Sequence, residues 1–282
     1  MVGMTGWAII TDYELFRLVT TLYKSDRKLY LRRDYPTLDD FRRLRRQLRG
    51  LNVIVSDRDY TGAAYRILAN SDRPAEDICC TADPFCYISH LSAMQRYGLT
   101  ERRSKSLMLT APAPRIAKKL LLEKMRHDHG DDVQNRLDEI VPLHLVWHPK
   151  RVRGRPVKEH KTIHMGEWVK DRTSAARVAT AGQTFLDMVQ EPRLCGGMAH
   201  VIESWKQNAP DFVNEIIASV QNAHTSIAKV RAGYILSEVM GFSDPQIEAW
   251  KKFAMRGGSR VLDPSKPYAP TFSEEWMISI NV

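Results

Sequence analysis

Residues 37–50 constrain this chain more than any other stretch. They follow Pro36 and open with Thr37, whose side-chain oxygen can cap a helix. Leu38, Phe41, Leu44 and Leu48 then recur on one helical face, and Gly50 offers a stop. Two β-compatible runs, residues 53–55 and 64–68, flank the polar turn 56–62 and read as a hairpin. Upstream, residues 12–23 carry Leu15, Leu18, Val19 and Leu22 at helical spacing, behind a cap at Thr11 or Asp12. Helix, helix, hairpin is the order of a winged helix.

The remainder changes character twice. Residues 87–97 predict a helix with Ile88, Leu91 and Met94 inward and a stop at Gly98. Residues 107–109, 141–147 and 157–165 read as strands, with a helix over 114–126. From 182 to 253 the pattern is helical, four or five helices broken at Cys195-Gly196-Gly197, Pro210, Gly241 and Pro245. The tail alternates at Trp276, Ile278, Ile280 and Val282, as a last strand would. The expected fold is therefore α/β, of α+β type: an N-terminal winged helix-turn-helix (1–76), a mixed α/β region followed by a C-terminal helical bundle (77–256), and a tail (257–282).

Charge is distributed unevenly along this order. Of a net +9 over 282 residues, 24–49 holds ten basic and four acidic residues, and 102–172 holds seventeen and nine. Residues 184–250 reverse to four and eight. A polyanionic partner for the first two thirds follows. On the helix from Thr37, Arg42, Arg45, Arg46 and Arg49 fall clear of the apolar face, where guanidinium forks can grip phosphate or read guanine edges, and Arg58 in the hairpin turn can reach an adjacent backbone. The alternative is a solvated face beside Asp39 and Asp40. A second basic tip, Lys150, Arg151, Arg153, Arg155, Lys158 and Lys161 around Gly154 and Pro156, is either another phosphate contact or only a polar loop.

No apolar run approaches the roughly 18 residues of a membrane span, and no leader is evident, so a cytoplasmic location is expected. Cys79, Cys80, Cys86 and Cys195 should be free thiols. His144 and His148, like His160 and His164, are four apart, and Cys79, Cys80, Cys86 and His90 cluster without the CxxC spacing of zinc sites. No metal and no cofactor are assigned from such spacings. GxSxG, P-loop and GxGxxG patterns are missing, so no catalytic residues are assigned and no enzyme is expected. The alternatives are a metal-dependent nuclease drawing on Asp131, Asp132 and Glu159, and an RNA-binding or adaptor module. Arg231, within an apolar helix, requires a partner, for which Asp187 and Glu238 are the candidates.

The segment Tyr87-Ile-Ser-His-Leu-Ser-Ala-Met-Gln-Arg-Tyr-Gly-Leu-Thr100 resembles the YxSHxSALxxHGLT segment of the AbiEi family of antitoxins and transcriptional repressors. Thr184-Phe-Leu-Asp-Met188, Cys195-Gly-Gly-Met198, His200-Val201 and Val230-Arg-Ala-Gly-Tyr-Ile-Leu236 resemble its C-terminal region in order and spacing. The resemblance spans residues 80–252. It implies a bifunctional protein, whose winged helix binds inverted repeats of double-stranded DNA in its own promoter. Its C-terminal domain would counter a nucleotidyltransferase-like toxin, in the type IV manner that needs no stable complex. Residues 1–80 lie outside the resemblance, so DNA binding rests on the arginine stripe and the hairpin.

Overall fold

A computed structural model describes residues 6–25, 35–255 and 260–282. Residues 26–34 of the first basic block, 257–259 of the expected tail and the side chain of Asp132 lie outside the described set. In chain order, the first elements are β1 (Ile9–Thr11), α1 (Asp12–Tyr23), α2 (Leu38–Gly50), β2 (Ile54–Ser56), β3 (Ala64–Ile67) and α3 (Ala75–Ala82). Then come β4 (Tyr87–Ile88), α4 (His90–Arg96), β5 (Leu107–Pro112), α5 (Pro114–His129), β6 (Arg151–Val152), β7 (Arg155–Thr162), β8 (Trp168–Lys170) and β9 (Arg177–Ala179). Helices α6 (Ala181–Gln190), α7 (Met198–Asn208), α8 (Val213–Gln221), α9 (Ser226–Tyr234) and α10 (Pro245–Ala249) precede the short strands β10 (Phe272–Ser273) and β11 (Ile278–Ser279). The α/β expectation is met.

The elements gather into two compact units, and each is assembled from three separate pieces of chain. The first unit takes 1–86, 111–163 and 171–176; the second takes 87–110, 164–170 and 177–282. These units divide the chain differently from a linear partition at 76 and 256.

In the first unit, β1, β3 and β2 form an antiparallel sheet in that order, with Ile10 opposite Tyr65 and Val55 opposite Arg66. With α1 and α2, this is a winged-helix arrangement whose hairpin is β2–β3. Thr11 accepts the Glu14 amide to start α1, and Thr37 and Asp40 form a reciprocal capping box on α2. The left-handed stop after α2 belongs to Asn52 (φ +53) rather than to Gly50, which is still helical. Ile10, Phe16, Ile54 and Ile67 are fully buried, each contributing about 1.5–3 kcal/mol. Met125, Val133, Ile140 and Leu143 complete the same core from the middle of the chain. Residues 141–147 form no strand, a correction to the expected one. Leu143 buries on the core while His144 and Trp147 are exposed, so alternation there records packing on a surface and not pairing in a sheet.

The second unit pairs β4 with β5 antiparallel, β4 with β9 parallel, and β8 with β9 antiparallel. The expected helix over 87–97 is split into β4 and α4, because His90 takes φ +50 and turns the chain sharply. Ser89 Oγ then bonds His90 Nδ1 and accepts from Thr110, while Ser92 Oγ accepts the Met108 amide; the hydroxyls expected at a helix start tie α4 to β5. Five helices follow, with Trp205, Trp250 and Trp276 fully buried among them. Gly182 lets α6 close on α8, since a Cβ there would lie 2.2 Å from the Glu215 carbonyl oxygen. Arg231 does find partners, but these are the Val189 carbonyl (2.9 Å) and the Val261 carbonyl (3.1 and 3.2 Å), not Asp187 or Glu238. Carbonyl oxygens at helix and loop ends already need donors, so the guanidinium bonds them directly, with Asp263 and Glu191 near enough to favour its charge.

Candidate nucleic-acid interface

Helix α2 sits directly before the β2–β3 hairpin, the place of a recognition helix in a winged-helix arrangement. Only Phe41 is fully buried on it, and Arg42, Arg43, Arg46 and Arg49 are exposed. Arg42 lies 2.9 Å from Asp39 within the helix, where both side chains are well solvated. The guanidinium of Arg49 approaches the Tyr65 ring at 6.0 Å. Arg43 and Arg46 form no ion pair among the described residues. Arg45 departs from the expected stripe: it pairs with Asp12 of α1 at 2.5 Å and lies over the Phe41 ring at 5.6 Å, so it holds α2 to α1. Arg43, missed in the sequence because it lies off the 42-46-49 line, takes its place on the exposed surface.

Between the end of α2 and β2 lies a groove of ≈ 460 Å³, lined by Arg46, Arg49, Gly50, Asn52, Ile54, Val55 and Ser56. Only the two guanidinium groups of this groove can grip a phosphate, because the Leu51, Asn52 and Val53 amides are already bonded to the Gln47, Arg49 and Leu48 carbonyls. Arg58, in the hairpin turn, is largely exposed and lies only loosely near Asp72 (3.5 Å) and Asp59 (3.9 Å).

The second basic tip is not the free loop that its composition suggests. Val152 pairs with Arg155, so β6 and β7 close in a two-residue turn with both Arg153 (φ +50) and Gly154 (φ +79) left-handed. Arg153 is only 6% exposed, and it grips three carboxylates from the hairpin turn and the loop after β3. It reaches Asp57 at 2.7 and 3.1 Å and Asp72 at 2.9 Å, and also bonds Asp59. Burial pushes Asp57 up, but the Arg153 bond and the Asp59 and Tyr60 amides outweigh it and hold the carboxyl below its ordinary value. Asp72 is lowered likewise, burial being outweighed by Arg153, the Arg73 amide and Arg66. Arg153 is therefore withdrawn from the expected phosphate contacts, since it is buried and its guanidinium makes four bonds to carboxylates. Arg155 is bonded to Glu76 and about two thirds buried. Lys150 and Arg151 remain exposed, with Arg151 donating to the Gly154 carbonyl.

The histidine pairs do not meet as read. His144 is exposed and His148 is not; His160 and His164 fall in different units, and His164 stacks on His224 at 4.0 Å. Of the acids considered for a nuclease, Glu159 accepts the His148 amide and pairs with Lys161 at 3.2 Å. Among the described residues, one group could hold a metal ion: Asp83, Cys86 and His148. The sequence had offered Cys86 with His90, and His148 with His144, so neither grouping was the one that folding assembles.

Fold and site define a chain with a basic winged-helix unit and a second, largely helical unit. No protein-family model matches the chain, and no curated protein matches it. Among solved structures it is similar to the crystal structure of the RV2827C protein from Mycobacterium tuberculosis, at a TM-score of 0.48 and 10% identity, covering 98% of this chain and 87% of that one. A likeness so slight carries neither fold nor function across. No helix among the described residues is long and apolar enough to cross a membrane.

Proposed function

We propose that this protein is a double-stranded DNA-binding autorepressor whose helix α2 enters the major groove, and that its second unit supplies the antitoxin activity against a nucleotidyltransferase-like toxin. The observation that carries the reading is the position of α2: a capped helix ahead of the hairpin of a β1-β3-β2 sheet, with Arg42, Arg43, Arg46 and Arg49 turned to solvent. Arg58 and the pair Lys150–Arg151 supply further cations on the same unit. The antitoxin half of the reading rests on the AbiEi-like segments at 87–100 and 184–236, which fall in the second unit. The protein has no catalytic role in this reading and acts in the cytoplasm.

Anisotropy titrations on the DNA upstream of its gene, across a salt series with random duplex as competitor, test it. Changing Arg42, Arg46 and Arg49 together to Ala should flatten the slope of log affinity against log salt by roughly 0.9 for each phosphate that is no longer neutralised. An unchanged slope and an unchanged operator affinity in a folded triple variant would sink the assignment of α2. Co-expression with the toxin encoded beside it tests the other half, with restored growth as the expected result.

A further inference from the structure

We propose that Asp83, Cys86 and His148 bind a zinc ion that fastens the chain entering the β6–β7 hairpin to the turn after α3. Asp83 and Cys86 lie just past the end of α3, and His148 arrives from far along the chain. One ligand atom from each falls within 4.8 Å of the others. His148 Nε2 and Asp83 Oδ2 are 3.6 Å apart. Two zinc bonds of about 2.0–2.1 Å, at angles between tetrahedral and trigonal, span roughly 3.3–3.6 Å. That separation is too long for a hydrogen bond and suited to two ligands of one ion.

The burial of His148 points the same way. Its Nδ1 lies 2.6 Å from the Tyr60 hydroxyl, which fixes the ring through that nitrogen. Nε2 is turned to Asp83 and Cys86, in a side chain only 1% exposed, and has no hydrogen-bond partner. A buried ring nitrogen without a partner is costly, and a cation held beside the carboxylate and the thiolate satisfies it. The Cys86 thiol makes long contacts to the Cys79 and Asp83 carbonyls, at 3.6 and 3.7 Å, which a thiolate on zinc would give up.

The ligand chemistry selects the ion. Thiolate and imidazole favour zinc over calcium or magnesium, and one thiolate with one carboxylate neutralises a divalent charge, which lowers the penalty of burying it. Tyr60, itself fixed by Cys79, orients the imidazole as partners of zinc-bound histidines do. With Asp83 and His148 each 1% exposed, no substrate reaches the ion; the three residues supply three of its four tetrahedral ligands, a water takes the fourth, and its role is structural. It anchors the strand that presents Arg153 to the three carboxylates.

The test uses the full chain, produced in zinc-supplemented cells and purified without chelator or a metal-affinity column. About one zinc per chain is expected by elemental analysis. After stripping with a chelator, cobalt titration of the folded protein should give a thiolate-to-cobalt charge-transfer band and the intense visible bands of a tetrahedral site. Cys86→Ser and His148→Ala should each weaken cobalt binding by at least about 100-fold, and Tyr60→Phe by about 10–100-fold, while Cys195→Ala leaves the band unchanged. Folded wild-type protein with less than about a tenth of a zinc per chain and no thiolate band overturns the proposal, whatever the variants do. A band that survives Cys86→Ser in a folded variant overturns it as well.

Discussion

Replacing Arg153 with Ala removes the cation that three carboxylates share. The loss is uneven among them. Asp57 has no exposed side-chain surface, whereas Asp59 is 17% and Asp72 34% exposed, so water can replace Arg153 at the last two but not at the first. Removing one partner from a buried pair costs about 3–5 kcal/mol, and one buried carboxylate left with only the Asp59 and Tyr60 amides places Arg153→Ala near the lower end of that range. The backbone supplies a second, separable effect. Residue 153 has φ +50, a conformation that costs an L side chain about 1–2 kcal/mol and glycine almost nothing. Arg153→Gly should therefore be less destabilising than Arg153→Ala by roughly 1 kcal/mol. Native-state hydrogen exchange at the Ile67 amide, which donates to the Ala8 carbonyl beside the sheet, reports the first unit specifically. Asp57 and Asp72 titrate below the ordinary carboxylate value, so their contribution is complete above about pH 4 and fades as pH falls through their folded values. The gap between wild type and Arg153→Ala should narrow over that fall. An Arg153→Ala protein within about 0.5 kcal/mol of wild type at neutral pH would refute the reasoning, because that is the range of an ordinary surface substitution.

Burial pushes Asp187 up to about 7, with only the Gln183 amide and the His90 backbone amide opposing it, so the folded state holds a proton that the unfolded chain releases near pH 4. Stability of the second unit should decline as pH rises from about 4 through 7, and Asp187→Asn should flatten the decline in urea titrations read at pH 5 and 8. A decline of equal size in Asp187→Asn would place its origin elsewhere. Gly182→Ala should lower the melting temperature despite alanine's better helix propensity, since its Cβ would meet the backbone carbonyl of Glu215, which cannot rotate away. Trp276→Ala should destabilise by about 3–5 kcal/mol, and Gly233→Ala should also destabilise because its Cβ would fall 2.1 Å from the same indole. Calorimetry of the three variants checks both statements.

What was legible in the sequence was local. The cap at Thr37, the leucine spacing of α2 and the turn residues of the hairpin act over a few positions, and α1, α2, α5, β2, β3 and the C-terminal helices appear where those signals place them. Arg153 was illegible because a basic residue beside Gly154 looks the same in sequence whether its guanidinium meets water or three carboxylates that lie more than eighty residues away. Arg45 similarly turned on Asp12, which is distant in sequence. Asp83, Cys86 and His148 escaped notice because spacing arguments group neighbours, and these three are neighbours only after folding. Arg231 showed that an apolar helix with one cation does need a partner, but pattern cannot distinguish a carboxylate from a bare carbonyl.

The assembly of each unit from three pieces has a consequence for synthesis. A chain released up to residue 86 holds α1, α2 and the hairpin but lacks Met125, Val133, Ile140 and Leu143, so Phe16, Phe41 and Ile54 have no complete core to enter. The first unit is closed only when residue 176 has been added, and at 5–20 residues per second those further residues take about 5–18 s. Throughout that interval the ribosome carries a basic helix on an unfinished base, and the five passages of chain between the units bind the second unit's folding to the same clock. The nascent protein is thus born with its arginine-bearing helix ahead of the support that makes it rigid, and chaperone capture would act in that window.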